Sequence, residues 1–322
     1  MSRHLQIGLL SLFLIPYSLE IGAQTPLVTR PNSEKTLIAP AYFGPNAFPI
    51  PDMLDGRAQG ALRVDIAGDG YWGDRGDKTA DVFARIHIPI FTDRVNLTVW
   101  YPIYEWYSVT DQWLQHNRVE PESLYHSGSG AGDIYVSTDI WILKARKWVP
   151  DVAIRAALKT ASGGQYEKAR HYDAPGYWFD LSAGKSLYFK KGAQFPFAQA
   201  DKEAVELRLS GTIGFLCWQT DNGRQNDALY YGLQMLLKYR YLSAQVTWSG
   251  YRGWEYAGDE PMSIKVRLAG HIKGFEPYVG YQKGLKDFPY QQLRVGLVYN
   301  WSFIKPSKIK EWHRKDGTII DF

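Results

Sequence analysis

The chain has 322 residues, a net charge of +4 and an aromatic content of 15%, with 22 tyrosines and 12 tryptophans. This length suits two soluble domains or one large barrel. The slight positive charge, without a basic run interleaved with aromatic residues, argues against nucleic acid as a partner. The mean hydropathy of −0.32 is not that of a helical membrane protein, and the single cysteine, Cys217, excludes an intrachain disulfide.

Residues 1–23 have the features of a secretory signal peptide. Arg3 and His4 precede a short apolar run, residues 7–15, which is followed by a proline. A small-residue site at residues 21–23 would leave Gln24 as the first mature residue. The apolar run is too short to cross a bilayer as a helix. A lipoprotein is not expected, because there is no cysteine at the cleavage site. The sequence therefore predicts Sec-type export.

Residues 24–57 form a separate, proline-rich leader. Its prolines are Pro26, Pro31, Pro40, Pro45, Pro49 and Pro51. Proline at this density excludes regular strands and helices, because the ring fixes the backbone and removes the N–H donor. Apolar residues between the prolines need something to bury against. Two interpretations stay open: a flexible periplasmic leader, and a fixed strap or plug.

From residue 58 to residue 303 the chain alternates apolar and polar residues in strand-like runs. In residues 80–104, Val82, Ile86 and Ile88 fall on one side, and charged residues such as Asp81 fall on the other. Side chains of a strand point to opposite faces in turn. Twelve such runs begin near residues 61, 80, 95, 133, 152, 177, 205, 229, 242, 264, 275 and 292. Several run for about ten residues, the length of a tilted membrane-crossing strand.

The connections between the runs alternate in length. Those after even-numbered runs are mostly tight turns, such as residues 91–94, whereas those after odd-numbered runs are longer, such as residues 105–132. Short turns at one rim, long loops at the other and aromatic girdles are typical of outer-membrane barrels. Tyr71, Trp218 and Tyr251 are expected in the girdle at the long-loop rim.

This pattern predicts an all-β fold, a transmembrane antiparallel up-and-down barrel of about twelve strands in residues 58–303. The alternative is a soluble carbohydrate-binding sandwich, which would not alternate its loop lengths in this way. Both termini are predicted to be periplasmic. Residues 304–322 are predicted to form a short C-terminal periplasmic tail, which together with the leader offers a surface for a periplasmic partner. The terminal Phe322 looks like the signal that ends many outer-membrane barrels, but it follows a segment that is not a strand, and Trp301 or Phe303 ends the last predicted strand. The alternative is that the tail returns to the barrel mouth. Barrel-assembly machinery and outer-membrane lipid are expected partners of a barrel of this kind.

The polar face of the runs predicts a charged lumen. The predicted lumen-lining residues are Arg63, Asp65, Asp81, Arg85, His87, Asp139, Arg155, Lys159, Asp180, Glu206, Arg208, Lys265, Arg267, His271 and Arg294. Interior charges need a partner or water, so one interpretation is that they pair and fill the lumen. The other is a narrow polar conduit whose arginines select anionic or polar solutes. Arg85 and His87 are expected near the periplasmic mouth, within reach of the leader.

A lipid-modifying enzyme is the less favoured alternative. Such an enzyme needs a nucleophile, a histidine base and an orienting acid or amide. His87 and His271 are predicted inside the barrel near its periplasmic end, away from outer-leaflet lipid, and His116, His126 and His171 fall in outer loops. Metal-ligand spacing, a phosphate loop and a dinucleotide fingerprint are all absent from the sequence. No catalytic residue, cofactor or metal is therefore expected.

A Gly-Asp pair enters a predicted strand at Gly132, and after a short turn a Pro-Asp-apolar strand begins at Pro150 and ends in Lys-x-x-x-Gly at Gly163. Through these motifs, residues 131–184 resemble the outer-membrane family named for the meta-pathway of phenol degradation. The resemblance implies a barrel proposed to pass or bind small, often hydrophobic, molecules. The leader and the tail depart from the family's pattern.

The favoured function is thus a channel or uptake protein for small, hydrophobic or anionic, solutes in the bacterial outer membrane. The alternative from another class is a non-conducting barrel that serves as a structural or partner-binding platform.

Overall fold

The computed structural model describes residues 42–117, 126–146, 148–164, 170–172, 175–189, 204–219, 227–253 and 259–301. The predicted signal peptide, the leader before residue 42 and the C-terminal tail lie outside these ranges. Within them, no helix is long and apolar enough to cross a bilayer.

The described residues form thirteen antiparallel strands. The strands are β1 (Leu62–Gly73), β2 (Lys78–Pro89), β3 (Val95–Ser108), β4 (Ser127–Gly130), β5 (Tyr135–Leu143), β6 (Asp151–Lys159), β7 (Gly176–Phe189), β8 (Val205–Trp218), β9 (Ala228–Tyr239), β10 (Leu242–Gly253), β11 (Met262–Gly270), β12 (Phe275–Lys286) and β13 (Tyr290–Trp301). Twelve of them close into a barrel, in which β3 pairs with both β2 and β5, and β13 returns to pair with β1. The predicted twelve-stranded barrel is confirmed.

The connection between β3 and β5 contains the remaining strand and a short helix. Helix α1 (Asp111–Asn117) follows β3, and β4 pairs with the last four residues of β3, from Glu105 to Ser108. The short strand therefore extends the barrel wall at one rim.

The outer face of the barrel is an apolar belt. Its most exposed members include Ile66, Leu158, Phe179, Leu209, Ile213, Leu233, Leu268 and Val295. Soluble monomers rarely expose contiguous apolar surface on this scale, whereas outer-membrane barrels carry such a band against lipid. The belt is therefore the lipid-facing surface of a transmembrane barrel.

The two rims of the barrel differ in the length of their connections. The terminal rim, where β1 begins and β13 ends, carries the turns at residues 90–94, 144–150, 240–241 and 271–274, and also the longer β7–β8 connection, residues 190–204. The opposite rim, called the loop rim here, carries the β3–β5, β6–β7, β8–β9 and β10–β11 connections. Two connections predicted to be long are tight turns, at residues 74–77 and 287–289. The prediction was wrong there because the flanking strands continue through glycine-rich and charged sequence.

A β-bulge in β3 redirects one carboxylate into the barrel. The pairing of β2 with β3 slips by one residue beside Val82, which leaves Ile103 as the extra residue. Ile103 and Tyr104 both lie exposed on the outside, and Glu105 turns inward and is buried. Placing Glu105 at the start of a loop was therefore wrong, because β3 continues to Ser108.

The lipid-facing assignment of the belt predicts a position-dependent cost of charge. Leu233→Arg, at a side chain 62% exposed in the middle of β9, should destabilise the barrel by about 2–4 kcal/mol in phospholipid vesicles. The matched control is Leu236→Arg on the same strand, which faces the interior cavity and should cost much less. Guanidinium unfolding followed by tryptophan fluorescence measures both, and equal losses would contradict the assignment.

Candidate functional site

The interior of the barrel is occupied by the chain's own residues 42–59, called the lumenal segment below. Near the loop rim, the Phe43 carbonyl accepts a hydrogen bond from Tyr290, the first residue of β13. Near the terminal rim, the Gln59 N–H donates to Asn96 at the start of β3. The lumenal segment therefore crosses the barrel from one rim to the other.

Side chains of the barrel wall donate hydrogen bonds to many of the backbone carbonyls of the lumenal segment. Pro45, Pro49 and Pro51 prevent the segment from pairing as a strand, and a buried carbonyl without a donor is costly. Seven of its carbonyls accept from wall side chains: Phe43 from Tyr290 (2.5 Å), Asn46 from Tyr135 (3.4 Å), Phe48 from Tyr251 (3.3 Å), Ile50 from Lys265 (3.4 Å), Pro51 from Tyr230 (2.9 Å), Asp52 from Arg155 (2.7 Å) and Asp55 from Arg208 (2.6 Å). The donors come from seven different strands of the barrel.

Asn46 is the polar centre of the segment's loop-rim half. Its amide nitrogen donates to Asp81 and Glu105, both at 2.8 Å. Its amide oxygen accepts from the Tyr71 hydroxyl at 3.2 Å. A buried amide with these partners fixes both position and direction of the backbone around it.

An aromatic cluster surrounds the same half of the segment. Phe43 and Phe48 pack against each other and against Tyr172, and Phe48 also contacts Trp218. The cluster continues through Tyr251, which contacts the Trp218 ring. Tyr71, Trp218 and Tyr251 are buried inside the barrel, so their predicted place in the lipid-facing girdle was wrong. They face inward because the segment offers them apolar contacts and carbonyl acceptors.

Arg170, from the β6–β7 connection, closes the loop-rim end of the lumen. Its guanidinium bonds to Asp77 at 2.7 Å and to Glu105 at 3.0 Å, and it is 1% exposed. It lies over the ring of Tyr107, and a Cβ at Gly44 would come within 2.8 Å of it. Arg170 thus covers the segment while it neutralises two buried carboxylates.

His171 of the same connection lies beside a second buried ion pair. Lys159 lies 2.7 Å from the Asp133 carboxylate, and His171 Nδ1 lies 3.5 Å from it. Burial alone would raise the pKa of Asp133, but its interactions with His171 and Lys159 lower that pKa below its ordinary value. Asp133 is therefore ionised throughout the neutral pH range.

The terminal-rim end of the segment is anchored by a close backbone approach. Gly56 has φ of +89°, a conformation that L side chains rarely adopt, and a Cβ there would lie 2.7 Å from the Gly184 nitrogen. Arg208 contacts the Asp55 carboxylate at 3.1 Å and the Asp151 carboxylate at 2.9 Å. This anchor joins the segment to β6, β7 and β8.

Beside the segment lies a cavity of about 800 Å³, whose basic part is called the chamber here. The chamber is bounded by Asp52 of the segment and by basic residues on β1, β2, β9, β11 and β13: Arg63, Arg85, Lys238, Lys265, Arg267 and Arg294. Asp52 lies 2.7 Å from both Lys265 and Arg85. Two ion pairs of the accessible Asp52 carboxylate therefore join the lumenal segment to the wall of the chamber.

Ten of the predicted lumen residues line this cavity: Arg63, Asp65, Arg85, His87, Asp139, Arg155, Lys265, Arg267, His271 and Arg294. The other five bond to neighbouring inward groups, Asp81 to Asn46, Lys159 to Asp133, Asp180 to Arg155, Glu206 to Ser186 and Arg208 to Asp55. Arg85 contacts the lumenal segment, whereas His87 bonds to Thr98 on the neighbouring strand.

Sequence reasoning missed several residues of the site, among them Glu105, Arg170, Tyr230 and Tyr290. Glu105 is hidden by the bulge, and Arg170 lies in a connection without strand periodicity. The tyrosines carried a usable signal, because a proline-rich segment inside a barrel needs hydroxyl and guanidinium donors for its carbonyls.

The histidines considered for catalysis are separated. His126 bonds to Asp111 at the exposed loop rim, His171 is buried near Asp133, and His271 bonds to Ser243 close to the terminal rim. In the described part of the chain, no group of three or more His, Cys, Asp or Glu side chains could hold a metal ion.

A closed twelve-stranded barrel with an apolar belt outside and polar residues inside defines the class of this molecule. It is a transmembrane β-barrel of the outer-membrane type, and its lumen holds the chain's own N-terminal segment.

No protein-family model matches the sequence, and no curated protein matches it. Among solved structures, the chain is similar to an outer membrane channel from Pseudomonas putida F1, at 13% identity over 78% of this chain and 100% of that chain, with a TM-score of 0.48. It is also similar to the KdgM porin, at 13% identity over 74% and 99% of the two chains, with a TM-score of 0.41.

The transport unit of the autotransporter AIDA-I from Escherichia coli is another such structure, at 9% identity over 79% and 93% of the two chains, with a TM-score of 0.42. At these identities the likeness is one of architecture and says nothing about a solute or an activity. The resemblance of residues 131–184 to the meta-pathway family stays a prediction.

Arg170→Gln should loosen the lumenal segment. The change leaves Asp77 and Glu105 buried without their cation, and breaking a buried pair costs about 3–5 kcal/mol. The control is Arg252→Gln, which removes an ion pair from an arginine 69% exposed and should cost about 0–1 kcal/mol. Guanidinium unfolding gives the stabilities, and trypsin cleavage after Arg57 reports release of the segment. Equal effects of the two changes would contradict the role given to Arg170.

Proposed function

We propose that the protein is a gated channel of the outer membrane for small anionic or polar solutes, closed by its lumenal segment. This proposal rests on the row of seven carbonyls held by wall side chains beside a charged chamber that the protein's own side chains do not occupy. A structural core would gain nothing from an open, charged cavity of about 800 Å³. A channel needs such a space for the solute once the segment moves.

The charge of the lumen supports selection of anions. Among the described residues that line the cavity, eight are Lys or Arg and five are Asp or Glu. In a narrow passage with low-dielectric walls, an excess of one sign raises the local concentration of the opposite ion. Solutes that carry a negative charge should therefore be favoured over cations of similar size.

The loop lengths support an orientation for the channel. Outer-membrane barrels place short turns in the periplasm and longer loops outside the cell. In that orientation the terminal rim is periplasmic and the loop rim is extracellular. The lumenal segment then runs from the extracellular end at Tyr42 to the periplasmic end at Gln59, which differs from the prediction that the leader and the N-terminus are periplasmic. A solute enters at the end covered by Arg170.

A second function, a non-conducting structural or partner-binding barrel, is favoured by the buried contacts of the loop-rim half. Asn46, Arg170, Phe43, Phe48, Trp218 and Tyr251 are all buried from solvent. A segment held only by such contacts would remain in place permanently. The two functions differ in whether the lumen ever opens.

Ion conductance in planar bilayers distinguishes these functions. Deletion of residues 42–56 should raise the single-channel conductance severalfold over the wild type, because it removes the obstruction between the rims. With a salt gradient, the reversal potential of the deleted form should show preference for anions. The Arg252→Gln variant, altered outside the lumen, should conduct as the wild type does. If neither the wild type nor the deletion variant conducts while both remain folded, the channel proposal is wrong.

Cysteine labelling tests the orientation of the barrel and of the segment. In a Cys217→Ser background, a membrane-impermeant maleimide should label Gln112→Cys on α1 and Tyr42→Cys in intact cells. Phe91→Cys, at a terminal-rim position 72% exposed, should be labelled only after the outer membrane is permeabilised. Labelling of Phe91→Cys but not of Gln112→Cys in intact cells would reverse the proposed orientation.

A further inference from the structure

The chamber contains two carboxylates that are each shared between cations. Glu276 lies 2.6 Å from Arg267, 3.2 Å from Arg63 and 3.5 Å from His271. Asp52 lies 2.7 Å from Lys265 and from Arg85. Because cations outnumber carboxylates at both places, the chamber has an excess of positive charge that attracts a further negative group.

The two carboxylates belong to different parts of the protein. Glu276 belongs to β12 and is fixed in the wall. Asp52 belongs to the lumenal segment, which is not part of the sheet. If Asp52 leaves the chamber, Lys265 and Arg85 lose their acidic partner while the wall stays intact.

Asp52 is also the most accessible charged contact that the described segment makes with the wall. Its side chain is 44% exposed to the cavity, whereas the Asp55 side chain, which pairs with Arg208 of the wall, is 21% exposed. A solute that reaches the chamber therefore meets the Asp52 ion pairs directly. The Asp52 carboxylate occupies the position that a carboxylate of a solute would take.

The uncharged side chains that line the chamber indicate which chemical groups the rest of such a solute would carry. Gln234, Gln245 and Thr247 form a hydrogen-bonded set on β9 and β10, and Gln282 on β12 also lines the cavity. Amides and hydroxyls both donate and accept, which suits hydroxyl groups. The cavity volume of about 800 Å³ lies within the range of small-molecule sites.

We infer that the chamber is a binding site for small hydroxylated carboxylates, which displace the Asp52 carboxylate from Lys265 and Arg85 and thereby loosen the lumenal segment. This inference rests on the proposed channel function for its consequence, the opening of the lumen. Binding itself is measured separately. The solute thus acts as the signal for its own passage.

Calorimetric titration of the purified full-length barrel tests the binding step. Citrate and gluconate serve as probes, with glucose as the neutral comparison and inorganic phosphate as the comparison anion, all at matched ionic strength. Citrate and gluconate should bind, glucose should not, and phosphate should bind more weakly. Equal affinity for phosphate and the carboxylates, or binding of glucose, would overturn the ligand class.

Two variants test the competition. Asp52→Asn should bind citrate about tenfold more tightly than the wild type, because an internal competitor that occupies the site lowers the apparent affinity. Lys265→Gln should bind it about tenfold more weakly, since a charge-assisted hydrogen bond is lost. The control, Lys144→Gln, removes an exposed lysine that pairs with Asp93 at the terminal rim and should leave the affinity unchanged. Unchanged affinity in both Asp52→Asn and Lys265→Gln would overturn the inference.

The opening step has its own readouts. Citrate should speed trypsin cleavage after Arg57 and raise the conductance of the wild type, and glucose should do neither. If citrate binds with the expected variant pattern but no form of the protein conducts, the channel proposal fails and the binding site stands. If the deletion variant conducts while citrate neither binds nor changes the wild-type current, the channel stands and the binding site is wrong.

Discussion

A proline-rich chain inside a β-barrel can pair its backbone neither with itself nor with the wall as an added strand. Its carbonyls must then accept hydrogen bonds from side chains, since the backbone donors of the strands are used in the sheet. Tyr135, Tyr230, Tyr251 and Tyr290 supply hydroxyls, and arginines and a lysine supply the rest. The inward tyrosines, the inward direction of Arg155 and Arg208 and the path of the segment all depend on this single requirement.

The contacts that hold the segment also differ between two parts of the lumen. Towards the loop rim, Asn46, Arg170 and the aromatic rings bury their partners almost completely. Towards the chamber, Asp52 holds Lys265 and Arg85 in an accessible place. Buried ion pairs are costly to break, whereas exposed ones contribute little and exchange readily. A segment that is anchored at both ends and holds one accessible ion-pair contact between them is suited to partial movement rather than to complete release.

The two-residue alternation was sufficient to predict twelve strands, their order and the inward direction of residues such as Arg155 and Lys265. Apolar side chains must face the lipid and charged side chains must face the lumen, so the alternation determines which face of each strand points inward. The same periodicity could not show the bulge at Ile103, since one inserted residue reverses the direction of Glu105 without changing composition. Arg170 was beyond reach for a different reason: its partners Asp77 and Glu105 lie 93 and 65 residues away in sequence. Aromatic residues near rims, such as Trp218, were ambiguous because lipid and a lumenal segment both attract them.

The central claim, that residues 42–59 fill the lumen of the intact protein, is tested most directly by photo-crosslinking from Met53. A Cβ at Gly232 of β9 would lie 2.5 Å from the Met53 sulfur, so the two sites are in contact across the lumen. When methionine is replaced biosynthetically by its diazirine analogue, illumination should join the tryptic peptide of residues 36–57 to that of residues 225–238. The product should disappear in Met53→Leu, which excludes an origin in Met235. Absence of this product in a folded barrel that carries the analogue at position 53 would contradict the account.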